Sequence, residues 1–152
     1  MHRKFLISII TALAVVGWST GGVAETTAED AYDYRIAIMT TLKGHLLASS
    51  SVLRGLVDDR GQVANHAQSL VNSIEELGDV FQAGSNVGDS NALDAVWEDA
   101  EKFRAAVENA EQASATFAAA SANGDKEAMA AAFRELGGAC KNCHDDFRVH
   151  DH

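Results

Sequence analysis

The spacing of apolar residues is the feature that most constrains the fold of this chain. Beyond residue 24, apolar side chains recur every three or four positions without the alternation of a strand, and none of the 152 residues is proline. This period places apolar side chains on one face of an α-helix, and the residue that most often breaks helices is missing. The pattern therefore predicts an all-α protein.

Four helical segments can be marked along the chain. They span residues 27–56, 62–81, 92–122 and 126–148. The connections contain glycine, asparagine or aspartate, and Gly124 suits the left-handed turn that ends many helices. Because each apolar stripe must be buried against the others, the four segments predict an antiparallel four-helix bundle.

The beginning of the chain has the pattern of a secretory signal peptide. Arg3 and Lys4 precede an apolar run that ends at Trp18, and small residues follow as a cleavage site. The run is about 14 residues long, shorter than the roughly 20 that cross a bilayer, although an uncleaved anchor is the alternative. We predict a signal peptide at residues 1–24 and one exported, periplasmic domain at residues 25–152, with no membrane span after cleavage.

The chain is acidic, with a formal net charge of −10. Loss of Arg3 and Lys4 with the signal peptide would make the remaining domain more negative still. We expect no nucleic-acid partner, because its phosphates would be repelled. The acidic residues either attract a basic protein partner or only solvate the helix surfaces.

The chain has only two cysteines, Cys140 and Cys143, and His144 directly follows the second. This C-x-x-C-H sequence is the signature of c-type haem attachment. On a helix the three side chains share one face, so the thiols can form thioethers with the haem vinyl groups while the imidazole binds the iron. We predict one covalently bound haem c near the C-terminal end of the last helix, with His144 as an axial ligand.

Three other interpretations of the cysteine pair are open. A structural zinc site needs four ligands, usually as two pairs, and a second pair is absent from the sequence. A thiol–disulfide exchange site expects a βαβ pattern, which a helical chain does not have. The third is a chance pair of cysteines. All three fit the sequence less well than haem attachment.

Gly137 and Gly138 are unusual because they fall inside the last predicted helix, just before Cys140. Each glycine disfavours a helix by about 1 kcal/mol relative to alanine. We expect that the helix breaks here or that a bulky group such as the haem ring lies against its backbone.

The motif and its position resemble the cytochrome c′ family, the class II c-type cytochromes, over nearly all of residues 25–152. Residues 140–148 resemble that family's terminal C-x-x-C-H-x-x-[FY]-R. Residues 34–39 resemble its first-helix Y-R-x-x-x-[LM], and Trp97 to Phe103 resemble its third-helix W-x-x-x-x-x-F. The resemblance implies a four-helix bundle that carries one haem.

The resemblance also implies roles for three further residues. Arg35 would lie near a haem propionate, and Arg148 would lie beside His144, where a cation influences the iron. Met39 occupies the position opposite the histidine, where members with leucine keep a five-coordinate iron and members with methionine can close the sixth position. The chain would then be a low-spin member ligated by His144 and Met39, unless Met39 only fills a gap in the core.

Two functions follow from these assignments. The first is electron transfer with redox partner proteins, by a protein that catalyses no bond chemistry. The alternative is a five-coordinate haem protein that binds nitric oxide or carbon monoxide. A homodimer through the first two helices is also implied by the resemblance, and His45 and His66, outside the motif, are expected to be solvated.

Overall fold

A computed structural model describes residues 25–149 of the chain. The predicted signal peptide lies outside the described residues, so its boundary with the domain stays a prediction. The described part is helical, and its helices are α1 (Ala28–Leu53), α2 (Gln62–Glu75), α3 (Ala95–Glu98), α4 (Ala100–Asn123) and α5 (Lys126–Phe147). The predicted all-α class is confirmed.

The four long helices form the predicted antiparallel bundle. Helix α2 packs against α1 and α4, α4 packs against α5, and α1 closes the bundle against α5. The connections after α1 and α4 are short, whereas the longer segment 76–99 joins α2 to α4 and contains the short α3. Within the described residues the one β pairing is an isolated bridge between Ala92 and Arg148.

Side-chain caps explain where three of the helices begin. Thr27, Asp99 and Asp125 precede α1, α4 and α5, and each side-chain oxygen accepts a hydrogen bond from a backbone N–H in the first turn. Such a bond satisfies a donor that has no partner within the helix. Gly124, with φ of +73°, ends α4 in the left-handed conformation, as the sequence predicts.

Two predicted helices are shorter than expected. The second ends at Glu75 rather than near residue 81, because the chain turns over the following residues. The third is divided at Asp99, whose backbone leaves the helical region at φ −118° and ψ 60° while its side chain caps α4. Apolar periodicity continues through both places, so the sequence pattern does not reveal these ends.

The core lies mainly between α2, α4 and α5. Leu70, Ile74, Phe117 and Leu136 are each at most 2% exposed. At one end of the bundle Phe103 makes edge-on contacts with Phe81 and Phe147, with ring centroids 4.8 and 5.2 Å apart. Such aromatic pairs contribute about 0.5–1.5 kcal/mol each beyond the burial of their area.

By length and composition α1 is also able to cross a membrane, with a mean hydropathy of 1.3 over 18 residues. The sequence analysis expects no such segment after residue 24. In the bundle, however, α1 packs against α2 and α5 and buries the charged side chain of Arg35. These contacts are those of a bundle helix, and 17% of that apolar window is buried within the described residues.

Helix α5 continues without a break through Gly137 and Gly138, so the predicted break is wrong. Both glycines are exposed, and a Cβ added at either would meet no heavy atom within 4 Å. No protein side chain therefore requires glycine at these two positions. The alternative expectation, that a bulky group such as the haem ring lies against this backbone, stays a prediction.

Candidate functional site

An apolar cavity of about 580 Å³ lies between α1, α2, α4 and α5. Its volume is within the range of small-molecule and cofactor sites, which are mostly apolar with a few polar groups. Most of its lining is aliphatic or aromatic, and the apolar lining residues include Ile36, Leu42, Leu46, Leu70, Ile74, Leu77, Phe81, Phe103, Val107, Leu136 and Phe147.

All six residues that the sequence analysis selects line this one cavity. Arg35 and Met39 come from α1, and Arg148 directly follows α5. The other three, Cys140, Cys143 and His144, come from α5. The structure therefore brings together residues more than 100 positions apart in the chain, while the role of each stays a prediction.

The C-x-x-C-H motif presents its side chains to the cavity because it lies on a regular stretch of α5. Burial raises the pKa of Cys140, and burial together with Cys140 and Asp146 raises the pKa of Cys143 to about 11. His144 is exposed at the mouth of the cavity, and partial desolvation there, followed by the charge of Arg148, lowers its pKa. At neutral pH the imidazole is therefore uncharged, which is the state in which histidine binds a metal.

Met39 is the one methionine of the described residues that lines the cavity. It is partly buried and packs against the core. Met129 is only 3% exposed and lies in the core, but it does not line the cavity. The thioether of Met39, on α1, is therefore available to a ligand bound in this cavity, whereas the thioether of Met129 is not.

Arg35 is buried, with 3% of its surface exposed, and is not a solvated arginine. Its Nη1 donates a hydrogen bond to Ser85 Oγ at 2.7 Å, and its Nη2 donates to Ser85 O at 3.0 Å and to Ser90 Oγ at 3.3 Å. Burial lowers the pKa of Arg35, although an arginine stays charged at any physiological pH. The residue thus joins α1 to the segment 82–92 at the edge of the cavity.

Three aromatic rings surround the same guanidinium group. Its carbon lies 5.5 Å from the ring centroid of Tyr32, 5.0 Å from that of Phe81 and 5.9 Å from that of Trp97. A cation over an aromatic face is attracted by the ring quadrupole. Trp97 is fixed in turn by its Nε1, which donates to the carbonyl oxygens of Phe81 and Gln82 at 3.1 and 3.0 Å.

The segment 82–92 is also held at its other end, beside the cysteine motif. The backbone N–H of Leu93 donates to Phe147 O at 2.9 Å, and that of Val149 donates to Asn91 O at 2.8 Å. This short clasp places Arg148 in extended conformation at the cavity. Sequence reasoning misses Ser85, Ser90 and the clasp, because nothing in their spacing distinguishes them from ordinary loop residues.

The residues of the cavity fit a haem. The wall is apolar, as a porphyrin ring requires, and two thiols, one imidazole and one thioether open onto it. The guanidinium groups of Arg35 and Arg148 add positive charge, which suits the two anionic side chains of a haem. Among the described residues no group of three or more histidine, cysteine or acidic side chains could hold a bare metal ion.

Comparison with known proteins identifies the family. Residues 30–148 match the family model described as Cytochrome C'. The chain is 31% identical over 151 residues to cytochrome c' of Rhodospirillum rubrum, covering 98% of this chain and 99% of the relative. It is 34% identical over 118 residues to cytochrome c' of Pararhodospirillum photometricum, covering 76% and 94%.

Solved structures show the same fold. Cytochrome c' of Rubrivivax gelatinosus has a TM-score of 0.75 and 30% identity, covering 80% of this chain and 97% of that one. The nitric oxide complex of a single-site variant of cytochrome c prime from Alcaligenes xylosoxidans has a TM-score of 0.77 and 26% identity, covering 84% and 99%.

These matches confirm the predicted resemblance and the predicted cofactor, covalently bound haem c. They do not support the finer prediction of a low-spin member, so ligation by Met39 stays a prediction. The family model spans most of the chain, and the Rhodospirillum rubrum relative aligns over nearly all of it. This chain, a monohaem c-type cytochrome, therefore belongs to the cytochrome c′ family.

Proposed function

We propose that this protein is an exported electron carrier whose haem iron is ligated by His144 and Met39. The observation that carries the proposal is that one imidazole and one thioether line the same cavity from different helices, α5 and α1. When bound, the haem supplies a one-electron redox centre, and ligation by histidine and methionine raises its reduction potential. The protein itself catalyses no bond chemistry in this proposal.

Different residues of the chain would hold different parts of the cofactor. Cys140 and Cys143 tether it through thioethers, and His144 offers a neutral imidazole to the iron. Arg35 and Arg148 place positive charge near the anionic edge of the ring. The aliphatic and aromatic walls exclude water, and this stabilises the less charged reduced state relative to the oxidised state.

The alternative function, binding of nitric oxide or carbon monoxide, is favoured by a separate observation. Solved relatives from Alcaligenes xylosoxidans include a nitric oxide complex and a carbon monoxide complex, the latter at 27% identity with a TM-score of 0.76. If Met39 only packs in the cavity wall, the sixth position of the iron would be open to such gases. The two functions therefore differ in what the Met39 sulfur does.

Location and partners are also proposals. Residues 1–24 would direct export to the periplasm, where a basic redox protein would meet the acidic surface. A homodimer through α1 and α2 is supported by apolar side chains that the single chain leaves exposed, since Tyr34 is 52% and Leu47 is 59% exposed.

Optical spectra of the exported holoprotein, with and without carbon monoxide, test the proposal. We expect a low-spin spectrum that carbon monoxide does not change, and conversion of Met39→Leu to a high-spin, gas-binding form. Met129→Leu is the matched control. It removes the domain's other thioether, which lies outside the cavity. A high-spin wild-type spectrum that shifts with carbon monoxide would replace electron transfer with gas binding.

A further inference from the structure

His45 and His66 form a pair on the seam between α1 and α2, which the sequence analysis does not anticipate. Their Nδ1 atoms lie 3.0 Å apart, and their ring centroids lie 5.2 Å apart at an interplanar angle of 49°. Neither residue lines the haem cavity. Both are partly exposed, so the pair is accessible from solvent.

Helix α1 also contains an unsatisfied polar group near His45 in the sequence. Ser49 lies one helical turn after His45 and is 0% exposed, and its Oγ has no hydrogen-bond partner among the described residues. Buried hydroxyl groups are nearly always hydrogen-bonded to protein or to ordered water. The Ser49 hydroxyl is therefore available to a further polar partner.

We propose that His45 and His66 form a binding site for a divalent transition-metal ion of tetragonal geometry, Cu²⁺ above all. The site is separate from the haem, and the inference does not depend on what the haem does. A metal held here would link α1 to α2 by coordinate bonds in place of one hydrogen bond.

The distance between the two nitrogens selects this class of ion. Bonds of about 2.0–2.1 Å from each Nδ1 to one ion, with the nitrogens 3.0 Å apart, give an angle of roughly 90° at the metal. Cu²⁺ and Ni²⁺ in tetragonal sites have adjacent ligands at such angles, whereas tetrahedral Zn²⁺ prefers a wider one. Cu²⁺ also binds imidazole most tightly of the divalent first-row ions.

The surroundings of His45 favour the neutral imidazole that such an ion needs. Burial, followed by the charge of His66, lowers the pKa of His45, so this imidazole is uncharged at neutral pH. Among residues 25–149 no third histidine, cysteine or carboxylate completes a cluster here. Water would fill the remaining positions of the ion.

Titration of the oxidised holoprotein with Cu²⁺, followed by calorimetry and electron paramagnetic resonance, tests the site. The titration is made in a His150→Ala/His152→Ala background, which removes the other histidines beyond the haem motif in the mature chain. We expect one Cu²⁺ per chain with a signal from nitrogen ligands. The conservative variants His45→Gln and His66→Gln should each weaken binding by at least about tenfold, because each removes one of two protein ligands.

An unchanged haem spectrum shows that each variant is folded. As a second readout, Cu²⁺ should raise the melting temperature of the parent protein and not that of His66→Gln, since a ligand stabilises only the state that binds it. The proposal is overturned if no stoichiometric Cu²⁺ binds. It is equally overturned if binding survives both glutamine variants or is found only when His150 and His152 are present.

Discussion

At the scale of single residues, Arg35 shows how this chain tolerates a buried charge. Among the described residues its partners are two serines and three aromatic rings rather than a carboxylate. Such partners satisfy the N–H donors without cancelling the positive charge. The uncancelled charge beside the cavity suits an anionic group, in agreement with the propionate role that the family resemblance implies.

Replacement of Arg35 should therefore destabilise the holoprotein. We expect Arg35→Ala to lower the free energy of unfolding by about 2 kcal/mol or more, because it removes three hydrogen bonds and leaves the carbonyl oxygen of the buried Ser85 without the Arg35 donor. The measurement is chemical denaturation followed by circular dichroism. Arg104→Ala is the matched control, since Arg104 is exposed in a surface ion pair with Glu108, and its loss should change stability by no more than about 0.5 kcal/mol. Equal effects of the two changes would contradict the structural role of Arg35.

The candidate site shows which residues a sequence can reveal. Cys140, Cys143 and His144 are predictable because their chemistry requires a fixed spacing on one helix. Arg35 and Met39 are predictable only through the family resemblance, since an isolated arginine or methionine on an amphipathic helix has no distinctive pattern. The contacts of Arg35 with Ser85 and Ser90 join residues at least 50 positions apart, and no local pattern carries such information.

At the scale of secondary-structure elements, the α1–α2 pair contains a hydrogen bond that responds to pH. The hydroxyl of Tyr34 on α1 donates to the carboxylate of Glu76, just after α2. This bond, followed by desolvation and the charge of Glu76, raises the pKa of Tyr34. The bond thus links the two helices only while the phenol is protonated.

The sign of the resulting pH dependence follows from the raised pKa. Below the ordinary tyrosine pKa of 10 the contribution to stability is fully present, and it is lost as the pH rises through the pKa of the folded state. We expect the wild type to lose more stability than Tyr34→Phe as the pH rises above about 10. Urea midpoints across this range, with absorbance titration of the phenols, measure the difference. Parallel stability curves for the two proteins would exclude the linkage.

The elements themselves were predictable to different degrees. The starts of α1 and α5 follow from Thr27 and Asp125, whose caps are local chemistry. The division at Asp99 and the early end of α2 are not local, because segment 82–92 is positioned by Arg35 and by the clasp beside Arg148. Tertiary contacts therefore override an apolar period that would otherwise continue the helices.

At the scale of the whole molecule, the acidic surface predicts how electron transfer responds to salt. The chain has 22 acidic and 12 basic residues, so its field attracts a basic partner at long range. The rate of electron exchange with a basic redox protein should fall as ionic strength rises from about 0.01 to 1 M, over which the Debye length shortens from roughly 30 to 3 Å. Stopped-flow absorbance at the haem band measures it. A neutral small reductant is the control, and an equal response to salt with both reductants would argue against electrostatic steering.

The cavity itself makes the fold depend on its cofactor. Residues from α1, α2, α4 and α5 all line it, so a bound haem contacts every long helix of the bundle. Without the haem, the apolar side chains that line this cavity would be exposed to water, and this disfavours the folded bundle.

Removal of the covalent tethers should therefore disrupt the whole bundle rather than one end of it. In Cys140→Ala/Cys143→Ala we expect no haem to survive denaturing electrophoresis, and the haem-free chain should keep helical content while losing fixed packing of Phe103 and Trp97. Near- and far-ultraviolet circular dichroism separate these two properties. Asn142→Ala on the same helix is a control that keeps both thiols and should keep both signals, because Asn142 is exposed. A haem-free double variant with a native near-ultraviolet spectrum and cooperative unfolding would show that the helices hold the cavity open without the cofactor.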